Sequence, residues 1–330
     1  MVESTLGSDD KSLLATTMLA GTAGFAAAEV AVSGYAEIGI LSSESAATAA
    51  ALGVLPGDVT FHQDVEVTFK MSGETDGGLS FGAAIDLDET NVAAGDDSGT
   101  TVFVSGAFGK LTMGDTDGAL DWAVQDAGSL TSMGDDHTTH VAYFAANGFD
   151  GSQDNQVVRY EYSFGDFGVA VSLEQADNGT PVPATVDDNL AIGATYSMDM
   201  SGTALKFGLG YQSGATAAGV NGDVWGVSVG AELAGGISGM IGYTDTSLDG
   251  AGNDFSTLGL GVTYASGPLS VTANYGEIDN EVAADADSYG LAVNYDLGGG
   301  AVVMAGYGSD VDAVAVGNQS QYSIGLGLSF

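Results

Sequence analysis

Large apolar side chains recur at every second position along most of this chain, and the pattern is cleanest in the last nine residues, Tyr322-Ser-Ile324-Gly-Leu326-Gly-Leu328-Ser-Phe330. A strand turns successive side chains to opposite faces, so this segment predicts one wholly apolar face and one face of Ser and Gly. A soluble domain would bury the apolar face and put charge on the other. Here the polar side is reduced to the smallest residues, as if space had to be kept open there. The pattern fits the wall of a membrane barrel, with lipid outside and a lumen inside.

The same alternation predicts sixteen strands, near 30–41, 61–72, 79–89, 101–106, 109–115, 156–164, 167–175, 189–198, 204–213, 223–233, 237–246, 255–265, 269–279, 287–297, 301–309 and 320–330. One set of connections is tight, as at Gly165–Asp166, Asp199–Gly202 and Gly235–Gly236. The alternate set is longer and rich in Asp, Asn and Ala. Short turns at one end and long loops at the other describe an up-and-down barrel, so the expected fold is all-β: a 16-stranded antiparallel transmembrane β-barrel. Tyr211, Tyr243, Tyr275 and Tyr307 fall 32 residues apart, one strand pair with its turn and loop. Phe164, Phe167, Tyr196, Phe207, Tyr264, Tyr295 and Phe330 lie near the short-turn end. Two aromatic rows match the two water–lipid boundaries.

One connection breaks the pattern. Residues 116–155 are about three times longer than most of the other loops, a length that points to function. Trp122, Tyr143, Phe144 and Phe149 stand there beside Asp117, Asp121, Asp126, Asp135, Asp136, Asp150 and Asp154. The aromatics are expected to anchor the segment to a wall while the carboxylates face water.

Composition narrows the function. Of 330 residues none is Cys, which excludes a disulfide framework and thiolate chemistry, and 52 Gly stand against 4 Pro. There are 44 Asp and Glu against 5 Lys and Arg, a formal charge of −39. Such a field repels nucleic acid and attracts cations. Residues 1–28 read as a secretory signal peptide, with an apolar run from Leu13 to Phe25 and Ala26-Ala27-Ala28 before Glu29. Glu3, Asp9 and Asp10 are foreign to such a peptide's basic start, so residues 1–10 are expected to be a mis-called start or an added segment. The barrel is assigned to 29–330.

The phrases Met71-Ser-Gly-Glu-Thr-Asp-Gly-Gly-Leu-Ser-Phe-Gly-Ala83 and Val102-Phe-Val-Ser-Gly-Ala-Phe-Gly-Lys-Leu-Thr-Met-Gly-Asp115, with Tyr295-Asp-Leu-Gly-Gly-Gly300 and the terminal Phe330, resemble the general porins of alphaproteobacteria. The likeness extends over the mature chain in layout, and its wording is specific only across 65–115. It implies a passive channel for small hydrophilic solutes in the outer membrane of a Gram-negative bacterium, and a homotrimer packed through part of the barrel's outer face. It also implies contact with outer-membrane lipid and lipopolysaccharide. Residues 116–155 would be an inward-folded constriction loop, with Asp115, Asp117, Asp121, Asp126, Asp135 and Asp136 at the narrowing. Tyr322, Ile324, Leu326, Leu328 and Phe330 would form the signal read by the barrel-assembly machinery.

These porins set a basic cluster opposite an acidic loop, and here the chain departs from them. The mature chain keeps only Lys70, Lys110, Arg159 and Lys206. Strand parity turns all four into the lumen, together with Glu37, Asp64, Glu66, Asp86, Asp88 and Glu161. Almost no charge is expected on the lipid face. An acidic lumen favours cations, so a cation-selective pore is expected. For Lys110 a local carboxylate partner is the favoured role.

Nothing in the sequence suggests catalysis, and no cofactor is required. Asp135-Asp136-His137-Thr-Thr-His140 would present metal ligands only on a helix, and a solvated polar loop is the favoured reading. Calcium is the ion the loop carboxylates would take. Asp96-Asp97, Asp187-Asp188 and Asp285 with Asp287 are candidates for cations bridging lipopolysaccharide. The alternative function is a secreted, acidic, β-rich surface or adhesive protein without a pore.

Overall fold

A computed structural model describes residues 17–18, 29–51, 53–88, 99–128, 133–136, 139–153, 156–176, 186–250, 254–309 and 319–330. The signal peptide assigned to 1–28 lies outside these residues, except that Thr17–Met18 pair with Val32 and Ala31. The barrel strands are β1 (Glu29–Ser43), β2 (Val59–Glu74), β3 (Ser80–Asp88), β4 (Thr100–Gly106), β5 (Gly109–Gly114), β6 (Val157–Phe164), β7 (Phe167–Glu174) and β8 (Asn189–Met200). The second half comprises β9 (Thr203–Ala215), β10 (Asn221–Leu233), β11 (Ile237–Leu248), β12 (Phe255–Ser266), β13 (Leu269–Asn280), β14 (Ala286–Gly298), β15 (Ala301–Ser309) and β16 (Ser320–Ser329). Each strand pairs antiparallel with the next, and β16 pairs with β1 to close the ring. All sixteen expected strands are present within a few residues of the expected bounds.

Closure follows from a need for edge-free sheets in lipid, where an unpaired backbone group finds no water. The last bonds are made by the terminal residue: Phe330 N donates to Gly34 O at 2.8 Å, and Gly34 N to Phe330 O at 3.1 Å. At the short-turn end the hairpins are set by residues with positive φ. In the turn between β8 and β9, Ser201 has φ +58° and Gly202 φ +87°. Two successive left-handed residues make the turn whose twist matches the flanking strands.

The outward faces carry the apolar set. Ile192, Leu209, Val262 and Ile324 are each about half exposed or more, which only a lipid surrounding makes favourable. Tyr162, Phe164, Phe167, Tyr196 and Phe207 form one continuous ring-to-ring row across β6 to β9. Towards the long loops, Tyr211, Trp225, Tyr243, Tyr289, Tyr307 and Tyr322 share the outward face by register. Just beyond that row are outward carboxylates. Asp223 accepts from Tyr211 Oη, and Asp245 from Trp225 Nε1 at 3.2 Å. Glu277 and Asp287 are register partners on the same face as Tyr275 and Tyr289. Outward charge is therefore present, at the loop ends of the strands where water reaches.

Among the described residues three short helical segments interrupt the strands: α1 (Ala46–Ala51), α2 (Ala119–Ala123) and α3 (Met133–Asp136). The last two belong to the long connection after β5. A cluster of buried apolar residues lies where that connection meets the wall: Ala119, Leu120, Val124, Ala127, Phe144, Ala146 and Phe149 with Ala170, Ala191 and Val224.

Candidate pore constriction

The connection after β5 folds into the barrel and lies along its inner wall. Its first station is α2. Leu120 is fully buried, and Ala119 N donates to Ser172 Oγ on β7 at 2.8 Å. A Cβ placed at Gly193, Gly208 or Gly210 would overlap Ala119 O, Ala123 O or Leu120. The backbone of α2 therefore rests directly on β8 and β9, closer than any side chain would permit. Gln125 N then donates to Ser228 Oγ on β10 at 2.9 Å.

The loop continues in the same manner around the ring. Ala127 O covers Gly261 on β12, and the Phe144 ring fills the space over Gly242 and Gly259 on β11 and β12. Ala142 O covers Gly276 on β13, while Ala142 N donates to Ser288 Oγ on β14 at 2.8 Å. Met133 of α3 seats between Gly325 on β16 and Gly39 on β1, and Met133 N donates to Ser323 Oγ at 3.3 Å. Gly134 N donates to Glu37 Oε2 at 2.7 Å. Each buried N–H of an irregular segment must find an acceptor, and the wall supplies Ser172, Ser228, Ser288 and Ser323 in turn. The two limbs also bond to each other, through Ala127 N to Phe144 O at 3.0 Å and Ala146 N to Asp126 Oδ1 at 3.2 Å.

The small lumen-facing residues thus do more than leave room for solute. Those from β7 round to β1 are filled by the loop, and the wall from β2 to β6 carries most of the charged lumen side chains. Serine and glycine at inward parity were the available signal, and it pointed to an empty interior because the occupant lies more than a hundred residues away in sequence. Gln212 and Asn189, which take Phe149 N at 2.6 Å and reach Phe149 O at 2.7 Å, gave no signal at all. The aromatics do anchor the loop, with Phe144 and Phe149 buried and Trp122 and Tyr143 packed against the same cluster.

The loop carboxylates divide by role. Asp117 is exposed, with its carboxylate 3.8 Å from Arg159 Nη1. Asp121, Asp126 and Asp150 are half-buried beside one another. Burial is the main cause that raises Asp121 to about 9, followed by repulsion from Asp126, Asp117 and Asp150, with Arg159 opposing. Burial likewise raises Asp126 and Asp150 to about 6, against the hydrogen bonds each accepts. Asp150 accepts from Gly118 N at 2.7 Å and from Gln212 Nε2 at 2.6 Å, tying the loop to itself and to β9. Asp115 is a structural residue, since Oδ2 accepts from Gly99 N at 2.6 Å. Asp135 and Asp136 sit on α3. Asp154 and His137 lie outside the described residues.

Arg159 is buried, bonds Glu161 Oε2 at 3.0 Å and donates to Asp117 O. Lys110 lies 3.9 Å from Glu161 and over the Phe103 ring. Lys70 and Lys206 are on the lumen face by register, opposite Ala84 and Gly230. Asp86 accepts from Thr68 Oγ1 at 3.2 Å, and Asp64 and Glu66 share that face. Asp88 pairs with Glu66 through the backbone register. Glu37 differs from a free lumen acid: only 3% exposed, it accepts from Tyr35 Oη at 2.8 Å and contacts His62 Nε2 at 3.1 Å while holding α3. Glu174, 1% exposed, accepts from Gln153 N and Asn189 Nδ2 and was not anticipated.

His140 is not in a solvated loop, as its polar neighbours in sequence suggested. It is 4% exposed, with Nδ1 2.6 Å from Ser288 Oγ and Nε2 2.6 Å from Asn274 Oδ1. Both nitrogens are taken up by the wall, and among the described residues no three His, Asp or Glu gather as a metal site. Asp188 and Asp285 accept from Ala176 N and Asn280 N, closing their own loops. Asp96 and Asp97 lie outside the described residues.

A closed sixteen-stranded barrel with a loop folded onto its inner wall is a channel architecture, and comparison with known proteins identifies which. A family model described as Gram-negative porin matches residues 15–312. The chain belongs to that family. The porin of Rhodobacter capsulatus is 30% identical over 302 residues, covering 84% of this chain and 93% of the relative. A porin structure refined at 1.8 Å superposes with a TM-score of 0.70 at 26% identity, covering 92% of this chain and 100% of the other. A substituted form of Rh. blastica porin gives a TM-score of 0.64 at 22% identity over 91% of this chain and 100% of its own, a likeness of fold. This porin is an outer-membrane channel, as its family and relatives are.

Proposed function

We propose that this porin is a general diffusion channel for small hydrophilic solutes that prefers cations. The observation that carries the reading is the loop group Asp117, Asp126 and Asp150, held inside the barrel around Asp121, which at about 9 is itself neutral at pH 7.5, with one basic neighbour, Arg159. That guanidinium is already offset by Glu161 at 3.0 Å. The wall the loop leaves bare adds Asp64, Glu66 and Asp86 against Lys70 and Lys110. Carboxylates near a narrow aqueous path attract cations and repel anions directly, and low-dielectric walls strengthen the effect.

The same reading makes the porin a homotrimer. The outward face of β1 to β5 supports it, because Val32, Ile38, Val65, Ile85, Val102 and Met113 lie there without the Tyr and Trp that border lipid elsewhere. Such a face fits another protein surface better than a headgroup boundary. Lipopolysaccharide would then meet the remaining outer face. Tyr322, Ile324, Leu326, Leu328 and Phe330 point outward along β16, where the assembly machinery would read them.

The test is the reversal potential of the purified porin in a planar bilayer under a KCl gradient at pH 7.5. A potential towards that of K⁺ is the expected result. Channels without that preference, or with an anion preference, refute the electrostatic reading while leaving the porin itself in place.

A further inference from the structure

The seat of His140 contains a titratable group that the ion path does not use. Its ring is buried against β13 and β14, and among the described residues the neighbours that face it are uncharged: Asn274 from β13, Ser288 from β14, and Tyr143 from the loop, ring centroids 5.8 Å apart. From β16, Gln321 Nε2 bonds Thr139 O next to it. The hydrogen-bond directions are set by Asn274, whose Oδ1 only accepts: Nε2 carries a proton and donates to it, and in the neutral ring Nδ1 then accepts from the Ser288 hydroxyl, which also takes Ala142 N–H. This is the pattern of a neutral imidazole. An added proton on Nδ1 would force the Ser288 hydroxyl to turn its own proton away, and among the described residues the charge would be buried with no carboxylate beside it.

We propose that His140 is a positioning residue for the constriction loop, and that its protonation unseats residues 139–142 and narrows the pore. This rests on the reading of the loop as the constriction. The direction of movement is dictated by the wall: β13 and β14 stand behind the segment, so it can leave only towards the lumen. Burial holds the His140 pKa below 6.5. A seated loop therefore binds fewer protons at this ring than an unseated one. The seating is fully present above pH 6.5 and is lost progressively as pH falls below it. Asp121, Asp126 and Asp150 act in the opposite sense, because their raised values favour the seated loop in acid. They lie at other stations and govern the charge of the path, so the two effects separate by observable.

The experiment follows single-channel conductance and reversal potential of the full-length porin between pH 8 and pH 4.5. The native channel is expected to lose conductance reversibly below pH 6.5. His140→Gln, which cannot ionise, should conduct normally at pH 8 and lack the fall in acid. Asn274→Asp gives the imidazolium a partner and should abolish the fall by the other route, which keeps the test available if His140→Gln does not assemble. His62→Gln, at the Glu37 seat, should retain the native fall. A flat native profile, or an unchanged fall in either assembled His140 or Asn274 variant, overturns the proposal. The reversal potential at pH 8 separately decides whether the constriction is cation-selective.

Discussion

Adding one methyl group at Gly276 should reshape the pore. In the native barrel Ala142 O rests on the α-carbon of Gly276, and a Cβ there would overlap that oxygen. Ordinary contact needs about 3.5 Å between such heavy atoms, so the loop backbone has to retreat by roughly 2 Å or the strand has to yield. The strand is held on both sides, to Gly259 on β12 and Ser288 on β14, so the loop moves. Overpacking of this kind typically costs about 1–3 kcal/mol, and it would also stretch the bond from Ala142 N to Ser288 Oγ. Gly276→Ala should therefore lower single-channel conductance and the melting temperature of the purified porin together. Gly34→Ala is the control: a Cβ there would meet Glu66 O at 3.5 Å and no part of the loop, so both quantities should stay native. Unchanged conductance in assembled Gly276→Ala channels would refute the view that the loop backbone lies on a glycine track.

Cation preference should weaken in acid. With values of about 6 for Asp126 and Asp150, each is about nine-tenths ionised at pH 7 and about one-tenth at pH 5; a permeability ratio that holds constant over that range contradicts the assignment. Glu37→Gln should loosen α3, since it replaces a charged acceptor of Gly134 N–H with a neutral one, at a cost of about 1–3 kcal/mol. Faster proteolysis near residues 133–136, with the barrel itself intact, is the expected readout.

Much of the barrel was legible because its signals are local. Alternation gave each strand, since the lipid face and the lumen face impose opposite demands on adjacent residues. Gly202 and the other tight-turn residues marked the short connections. Parity put Arg159, Lys110 and Glu161 on one face, and Lys110 and Arg159 each meet Glu161 there, because one register rule decides every residue on a strand. The contacts of residues 116–155 were not legible in the same way. Ser172, Ser228, Ser288 and Ser323 look like ordinary small lumen residues, and only the folded loop turns them into acceptors. His140 read as a solvated polar side chain since its sequence neighbours are Asp, His and Thr; its burial depends on Asn274 and Ser288, more than 130 positions away. Glu37 and Asp115 bear the same charge as their neighbours, yet bond loop backbone, a distinction that sequence periodicity does not contain.

The pairing of β16 with β1 has a consequence for how the molecule comes to exist. Gln321 and Ser43 are register partners separated by nearly the whole chain, so the ring cannot seal until its first and last strands meet, the slowest kind of contact for a folding chain to make. The loop takes its seats on β14, β16 and β1 from the inside. Once the ring is sealed, the remaining route inwards is through its ends. Phe330, bonded to Gly34, shuts that seam, and a loop still outside it then has only the open mouth at its own end to enter by.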